Sequence, residues 1–271
     1  MLRCAALALA TGWSMVAVAA DKDEPRWETR VVGDKPEPLV LNPAKAYILI
    51  DTQALQLPVF LHRPSEPEAA RWAIKRAEEF AKEHAKWAKK YASWEREMAA
   101  YRKSPAGAAP KKPIEPVEGN FGFPTWEQAH QFMVGPQNRF NKEGGSRYLQ
   151  EVPPGTYVFY KNMMACACLG TVEFEAAPGK ITTVGLGLPF LEAMDLPKDQ
   201  RPKTALDLSP GVTTMRLEAT EFTDPRFPQG SVVQAKFKPA GQWPNWAGSE
   251  VDRVMAIPGV FRYERDKQVA E

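Results

Sequence analysis

Four sulfur-containing side chains form the densest group of soft potential ligands in the 271-residue sequence. Met163 and Met164 lie just before Cys166 and Cys168. In an extended strand both cysteines would point to the same face and, with a methionine thioether, could hold Cu(I). The same spacing places their Cα atoms about 6.6–7 Å apart, the outer limit for a disulfide. Three interpretations stay open: two buried thiols, a strained disulfide, and a soft-metal or thiol-redox site.

Other residues that could do chemistry form no recognisable catalytic centre. His62, His84 and His130 are scattered along the chain, and Glu127 with His130 makes a single Glu-x-x-His pair. A di-iron bundle needs two such pairs and further carboxylates. The sequence contains no nucleophile-elbow, zincin or phosphate-loop pattern. We therefore expect a non-catalytic protein without a cofactor. A hydrolase whose carboxylates meet only on folding is a third alternative.

A stripe of aromatic residues follows one long predicted helix. Residues 68–103 contain no proline or glycine, Ser65 is a suitable N-cap, and Ser104-Pro105 supplies the stop. The apolar residues recur with the 3.5-residue period of a helix that packs along its length. We predict an interaction surface on this helix made of Phe80, Trp87, Tyr91, Trp94, Met98 and Tyr101.

The aromatic stripe is too apolar to remain in water and needs a partner. At about 1.5 Å per residue the helix would be roughly 54 Å long, against a diameter of roughly 43 Å for the rest of the chain. Three partners are considered: the protein's own sheets, a second copy through paired helices, and a membrane surface or cell wall. Lys82, Lys86, Lys89 and Lys90 flank the tryptophans and favour the last. We expect packing on the sheets.

A second candidate surface is the stretch 242–248, which contains Trp243 and Trp246. Exposed tryptophans there could stack on a sugar or a peptide. The alternative is a tryptophan pair that closes one end of the sheets.

The elements that must position these residues are mostly strands. Polar and apolar residues alternate along several short runs that Pro-Gly turns separate, which predicts sheets with one buried and one solvated face. Pro58 places the second run towards a sheet edge. We predict a mainly β fold, an antiparallel β-sandwich with one long inserted α-helix. The strand-like runs are 46–50, 57–61, 156–160, 171–176, 181–188, 215–219, 233–238 and 260–264.

Proline content helps to divide the chain, since 25 prolines are present. Five of them lie in 104–124, which predicts an extended linker. Thr125 is a suitable N-cap for a short helix that would run to Val134. The predicted organisation is a leader at 21–43, a sandwich at 44–63 and 140–264, a long inserted helix at 64–104, and a linker with a short helix at 105–139.

The turns between the strands carry a family resemblance. The run 148–158 contains Pro-Pro-Gly-Thr-Tyr, and 170–175 leads into Pro178-Gly179-Lys180-Ile181. In these features the chain resembles exported bacterial β-sandwich domains of unknown function, transthyretin-like or carboxypeptidase-regulatory-like in general form. The resemblance covers residues 40–63 and 140–240. It implies a fold and an envelope location, and no chemistry.

Residues 1–20 have the layout of a secretory signal, with Arg3 before an apolar run that ends at Ala19-Ala20. The net charge of +2 gives no general reason to expect nucleic-acid binding. We predict a periplasmic or extracellular binding or assembly module without a membrane span in the mature chain. Its partner would be a second copy or an envelope component, bound through the helix at 66–103.

Overall fold

The computed structural model describes residues 27–52, 58–135, 139–140, 146–162, 172–187, 197–200, 216–240, 261–264 and 267–270. The predicted signal segment lies outside these ranges. The elements in chain order are β1 Arg30–Val32, β2 Ala46–Thr52, β3 Pro58–His62, α1 Glu66–Lys103, α2 Trp126–Ala129, β4 Gln131–Met133, β5 Ser146–Val152, β6 Gly155–Asn162, β7 Val172–Ala176, β8 Ile181–Gly187, β9 Arg216–Glu218, β10 Val232–Gln234, β11 Lys238–Pro239, β12 Phe261–Glu264 and β13 Lys267–Ala270.

Most of these strands belong to two sheets. The first sheet has the order β1-β5-β2-β8-β10, with β9 also paired to β8, and the second has the order β11-β7-β6-β3-β4. Strands β12 and β13 form a separate antiparallel pair. The prediction of a mainly β protein with one long helix is therefore confirmed.

Pairing in the second sheet is antiparallel throughout, as the sequence predicts. In the first sheet β8 runs parallel to both β2 and β10, and here the antiparallel prediction is wrong. The turn at Pro178-Gly179 carries the chain from β7 in the second sheet to β8 in the first. Gly179 has a φ of 65°, which suits glycine in such a turn. Alternation along a strand reports its buried face and says nothing about the direction of its neighbour.

The main core is one cluster of buried side chains that come from both sheets. Ile48 and Ile50 of β2 contribute from the first sheet, and Phe60, Phe159 and Phe174 contribute from the second. The outer face of the first sheet is also covered. A second cluster there joins Tyr47, Leu49, Phe140, Leu149 and Ile181 to the half-buried Val32, Leu39, Leu41, Phe222, Phe227 and Val232. The predicted solvated face is therefore absent from β2 and β8.

The position of β3 and the order of residues 27–43 both differ from what the sequence predicts. Strand β3 lies between β4 and β6 rather than at an edge. Pro58 is its first residue, a position where a missing N–H costs the sheet least. Residues 27–43 are not a loose leader, because β1 pairs with β5 and the Leu39 N–H donates to the Arg226 carbonyl.

The short helix α2 ends earlier than predicted. Thr125 is the N-cap, as expected, and forms a capping box with Gln128, but the helix stops at Ala129. Residues 131–133 form β4, where Phe132 pairs with Phe60 and is buried. The predicted continuation to Val134 is wrong because burial of Phe132 in the core favours a strand over a further helical turn. Within the described ranges, neither helix combines the length and the apolar character needed to cross a bilayer.

Candidate interaction surface

The candidate surface is carried on an arm that is inserted into a β-hairpin. Strands β3 and β4 are antiparallel neighbours, and the His62 N–H donates to the His130 carbonyl where they meet. The chain leaves this point along α1 and returns to it through residues 105–124, which we call the return segment. The arm is defined as residues 66–124. Because both ends of the arm meet at one hairpin, the two sheets form without a contribution from the arm to their strand pairing.

Helix α1 is started and stopped by local interactions. Ser65 caps its N-terminus and forms a capping box with Glu68, Pro67 lies in the first turn, and the Ser104 N–H donates to the Ala100 carbonyl at the other end. With 38 residues the helix is about 57 Å long. No residue of α1 is buried. The helix therefore projects beyond the sheets, and its stability depends on its caps and on what lies beside it.

The return segment lies along the aromatic stripe of α1. Three tryptophan indoles donate hydrogen bonds to proline carbonyls across the arm. The bonds are Trp94 Nε1 to Pro110 at 3.0 Å, Trp87 Nε1 to Pro113 at 3.4 Å, and Trp72 Nε1 to Pro124 at 3.3 Å. The return segment therefore meets Trp94 first and Trp72 last, so it runs antiparallel to α1. The prediction that 104–124 is only a linker is wrong.

The spacing of the two partners matches. Seven residues separate Trp87 from Trp94, which is about 10.5 Å along a helix. Three residues separate Pro110 from Pro113, which is about 9.3 Å in a polyproline II conformation. Pro110, Pro113 and Pro116 are half-buried, whereas the residues between them are exposed. Three residues of the return segment therefore span nearly the same distance as seven residues of the helix, so successive prolines can meet successive tryptophans.

Between Pro113 and Pro124 the return segment is longer than the helix beside it, and a turn takes up the difference. The Asn120 N–H donates to the Val117 carbonyl at 3.0 Å, and the Asn120 side chain accepts from the Val117 N–H at 2.8 Å. Asn120 also donates through Nδ2 to the Glu115 carbonyl at 2.8 Å. This side chain therefore organises the turn by itself.

Ring contacts connect the predicted residues along the stripe. Successive ring centroids lie 5.0–6.3 Å apart from Phe80 through His84, Trp87 and Tyr91 to Trp94. Met98 and Tyr101 are half-buried and continue the stripe. The structure thus brings these predicted residues together on one face, as the helical period requires.

The return segment also contributes its own groups to the stripe. Phe121 packs edge-on against Phe80 with centroids 5.1 Å apart. The Lys112 ammonium lies 5.5 Å from the ring centre of Tyr91 and 5.8 Å from that of Trp94. The partner that covers the stripe is thus a segment of the same chain, which differs from all three partners expected from the sequence.

Charged contacts join the two halves of the arm nearer to its base. Arg76 of α1 pairs with Glu118 at 2.6 Å and stacks 5.2 Å from the ring centre of Phe121. His84 Nε2 lies 3.5 Å from a carboxylate oxygen of Glu115. The carboxylates of Glu115 and Glu118 are solvent-exposed, so each of these contacts contributes little to stability. Their placement favours the observed register over a shifted one.

Two histidines that are 68 positions apart in the sequence meet at the base of the arm. Both His62 and His130 are 7% exposed. The Trp126 ring stacks on His130 with centroids 3.6 Å apart, and its Nε1 donates to the His62 carbonyl at 2.7 Å. Trp72 of α1 packs edge-on against His130 at 4.7 Å. Trp27 contacts both histidines, so this aromatic cluster links α1, α2 and β3.

Burial lowers the pKa of His62 below its usual value. The Glu68 carboxylate opposes this shift in the pKa, and His130 reinforces it. The Nδ1 atom of His62 is buried without a hydrogen-bond partner. The neutral imidazole is therefore the form that this cluster accommodates.

Sequence reasoning treated the three histidines as scattered, and only the pairing of β3 with β4 places His62 beside His130. The return segment had a sequence signal that was missed. Pro110, Pro113 and Pro116 recur every three residues, which is the period of one face of a polyproline II helix. A seven-residue aromatic period next to a three-residue proline period could have indicated that the two segments pair.

The remaining predicted residues lie outside the described residues. They are Met163, Met164, Cys166 and Cys168 of the sulfur group and Trp243 and Trp246 of the second candidate surface. Among the described residues, no three histidine, cysteine, aspartate or glutamate side chains form a group that could hold a metal ion. The soft-metal alternative therefore stays a prediction.

Comparison with protein-family models, with curated proteins and with solved structures finds no match for this chain. What the arm can do must therefore be argued from its own residues. It offers no arrangement of nucleophile, acid and base. It offers a long, narrow surface that is held away from the sheets.

Proposed function

We propose that this protein is a non-catalytic binding or assembly module of the cell envelope, and that the arm is the part that engages its partner. The finer fold in this proposal is a β-sandwich with the arm inserted between β3 and β4. The signal-like segment at 1–20 supports export, and the resemblance of the strand turns to exported domains agrees with it.

The observation that carries the proposal is the arm itself. A helix of 38 residues without one buried residue contributes little to the core of the protein that carries it. Three tryptophan–proline hydrogen bonds nevertheless hold it together over most of its length. A structure that is maintained beyond the core, and that adds no residue to the core clusters, is best explained by contact with something else.

The test is site-specific photo-crosslinking in cells that express the full chain. A photoreactive amino acid replaces Ala88 or Ala99, which are exposed on α1 and lie away from the return segment. The matched control is Val40, which is 88% exposed and lies outside the arm. We expect discrete adducts from both arm positions and none from the control.

The same cells are fractionated, and the protein with adducts is expected in the envelope fraction with residue 21 as its N-terminus. If the arm positions form no adducts, or the same adducts as Val40, the arm is not the interaction surface. If the protein stays in the cytosol with its first 20 residues attached, the envelope role is wrong.

A further inference from the structure

The positive charge of the protein is concentrated in the outer half of the arm, residues 86–113. This basic tip carries eight basic and two acidic side chains, a net charge of +6. The whole chain carries only +2, so the rest of the chain amounts to −4. The inner parts of the arm, 66–85 and 114–124, carry four basic and seven acidic side chains. The sign of the charge therefore reverses along the arm.

Much of this charge is exposed and unpaired. Nearer to the base, Lys82 pairs with Glu79 and Lys86 pairs with Glu83, each at 2.6 Å. Beyond Lys86, no carboxylate in the described part of the chain lies within ion-pair distance of the exposed basic side chains Lys89, Lys90, Arg96, Arg102, Lys103 and Lys111. An array of like charges with so few internal partners is a typical footprint of binding to an anionic surface.

Basic residues also form a slowly winding row along the back of α1, which turns by about 20° per heptad. Five of them recur every seven residues. The last four stand two positions after Phe80, Trp87, Trp94 and Tyr101, which places them on the opposite side of the helix from the stripe. At about 10.5 Å per step this row extends along most of the helix. Exposed alanines lie beside it, so no bulky side chain stands in front of the charges. The row consists of Lys75, Lys82, Lys89, Arg96 and Lys103, and the alanines are Ala85, Ala92 and Ala99.

We propose that the basic tip docks on an anionic phospholipid membrane surface with the back of α1 against the headgroups. This inference rests on the proposed function and names the class of partner. The charge of the tip is complementary to that of an anionic membrane surface. The tip begins about 30 Å from the start of α1. Electrostatic interactions are screened over about 8 Å at physiological salt, so the sheets at the base of the arm do not oppose the contact.

The covered stripe decides how the arm binds. Trp87 and Trp94 donate to the return segment and are half-buried under it, so they are not free to enter the bilayer. Binding is therefore peripheral, electrostatic and sensitive to salt. The same covering disfavours single-stranded nucleic acid, which stacks its bases on exposed aromatic rings. A second copy would bring one basic tip against another unless the two arms paired in opposite directions.

The test is co-sedimentation of the full-length mature protein with vesicles of mixed phosphatidylglycerol and phosphatidylcholine, and with vesicles of phosphatidylcholine alone. The variant is Lys89→Glu with Arg96→Glu, which lowers the charge of the tip from +6 to +2. The matched control is Lys198→Glu with Lys236→Glu, an equal change at exposed positions outside the arm. Helix content by circular dichroism is compared first, so that a folding defect is detected.

We expect the protein to bind the anionic vesicles only, and to be released by added salt. The tip variant should partition about ten-fold more weakly or worse, while the control variant binds like the wild type. Tryptophan fluorescence should not shift to the blue on binding. A blue shift, equal binding to neutral vesicles, or no binding to anionic ones would overturn the inference.

Two rival partners give different results. If the tip binds duplex DNA but not anionic vesicles, the membrane is the wrong partner. The same holds if light scattering shows a dimer that the tip variant abolishes while vesicles do not bind. Photo-crosslinks from Ala88 to a protein would then leave the proposed function standing. Absence of every arm adduct, to lipid as well as to protein, would remove the proposed function as well.

Discussion

Replacement of Trp94 tests whether the return segment holds the arm together. Its indole Nε1 donates to the Pro110 carbonyl at 3.0 Å, and its ring lies 5.2 Å from Tyr91 and 5.8 Å from the Lys112 ammonium. Trp94→Ala removes all three contacts. Trp94→Phe keeps most of the ring and removes the hydrogen bond.

The expected change in the free energy of opening the arm follows from the burial of this ring, which is half-buried. Burial of half a tryptophan removes roughly 100 Å² of apolar surface from water, which contributes about 2.5 kcal/mol. A partly exposed neutral hydrogen bond adds about 0.5–1 kcal/mol. We therefore expect Trp94→Ala to lower the free energy of opening the arm by about 3 kcal/mol, and Trp94→Phe by about 1 kcal/mol.

Hydrogen exchange of the full-length protein, measured by mass spectrometry, reports this local opening. Because α1 has no buried residue, the arm should open without unfolding the sheets. Since about 1.4 kcal/mol is a factor of ten, amides of residues 86–103 should exchange about 100-fold faster in Trp94→Ala and about five-fold faster in Trp94→Phe. Amides of β2 should keep their protection. The exposed neighbour Glu95→Ala is the control and should change little.

Two results would refute the reasoning. Unchanged exchange of residues 86–103 in Trp94→Ala would mean that the return segment does not stabilise the helix. Faster exchange in β2 to the same degree would mean that the arm and the sheets unfold as one unit.

Two predictions concern the base of the arm. Gly155 has a φ of 148° and a Cβ there would collide with the His62 imidazole, so Gly155→Ala should lower the free energy of unfolding by about 2–4 kcal/mol in urea titrations. Gly119→Ala, where a Cβ meets nothing, should stay within about 0.5 kcal/mol, and equal effects of the two would contradict this steric account. Because burial lowers the pKa of His62, the unfolded state binds the proton more readily, and stability should fall as the pH drops below about 6.5. The slope for one such group is at most about 1.4 kcal/mol per pH unit, so urea midpoints at mildly acidic and neutral pH, with and without His62→Gln, measure it. A midpoint that rises in acid would contradict the sign.

The sequence predicted the ends of helices and strands well where a short cap or turn motif decides the conformation. Ser65 with Glu68 and the stop at Ser104-Pro105 predict α1 to within two residues of its observed ends. The Pro-Gly turn at Pro178-Gly179 predicts the break between β7 and β8. Caps and turns are interactions between residues a few positions apart, so the sequence contains them in full.

Burial was less predictable because it depends on distant residues. Glu173 was expected on a solvated face, yet it is 4% exposed and pairs with Arg63 and Lys238. The alternation along β7 correctly predicts that Glu173 and Phe174 lie on opposite faces of the strand. Only the neighbouring elements decide that Glu173 is covered while Glu175, on the same face, stays exposed.

The sequence by itself determined that a long helix exists and that one side of it needs a partner along its length. The seven-residue period specifies how far apart the contacts along the helix must be, but not which element makes them. A second helix, a sheet or a polyproline segment could each provide contacts at that spacing. Which one covers Trp94 depended on the path of the chain after Pro105, since a turn at the end of α1 brings Pro110 within hydrogen-bonding distance of the indole. The contact joins residues 16 positions apart, and their approach is decided by chain reversal in three dimensions. The tertiary structure therefore decided that the stripe is covered from within, and that the back of the helix is the side left for a partner.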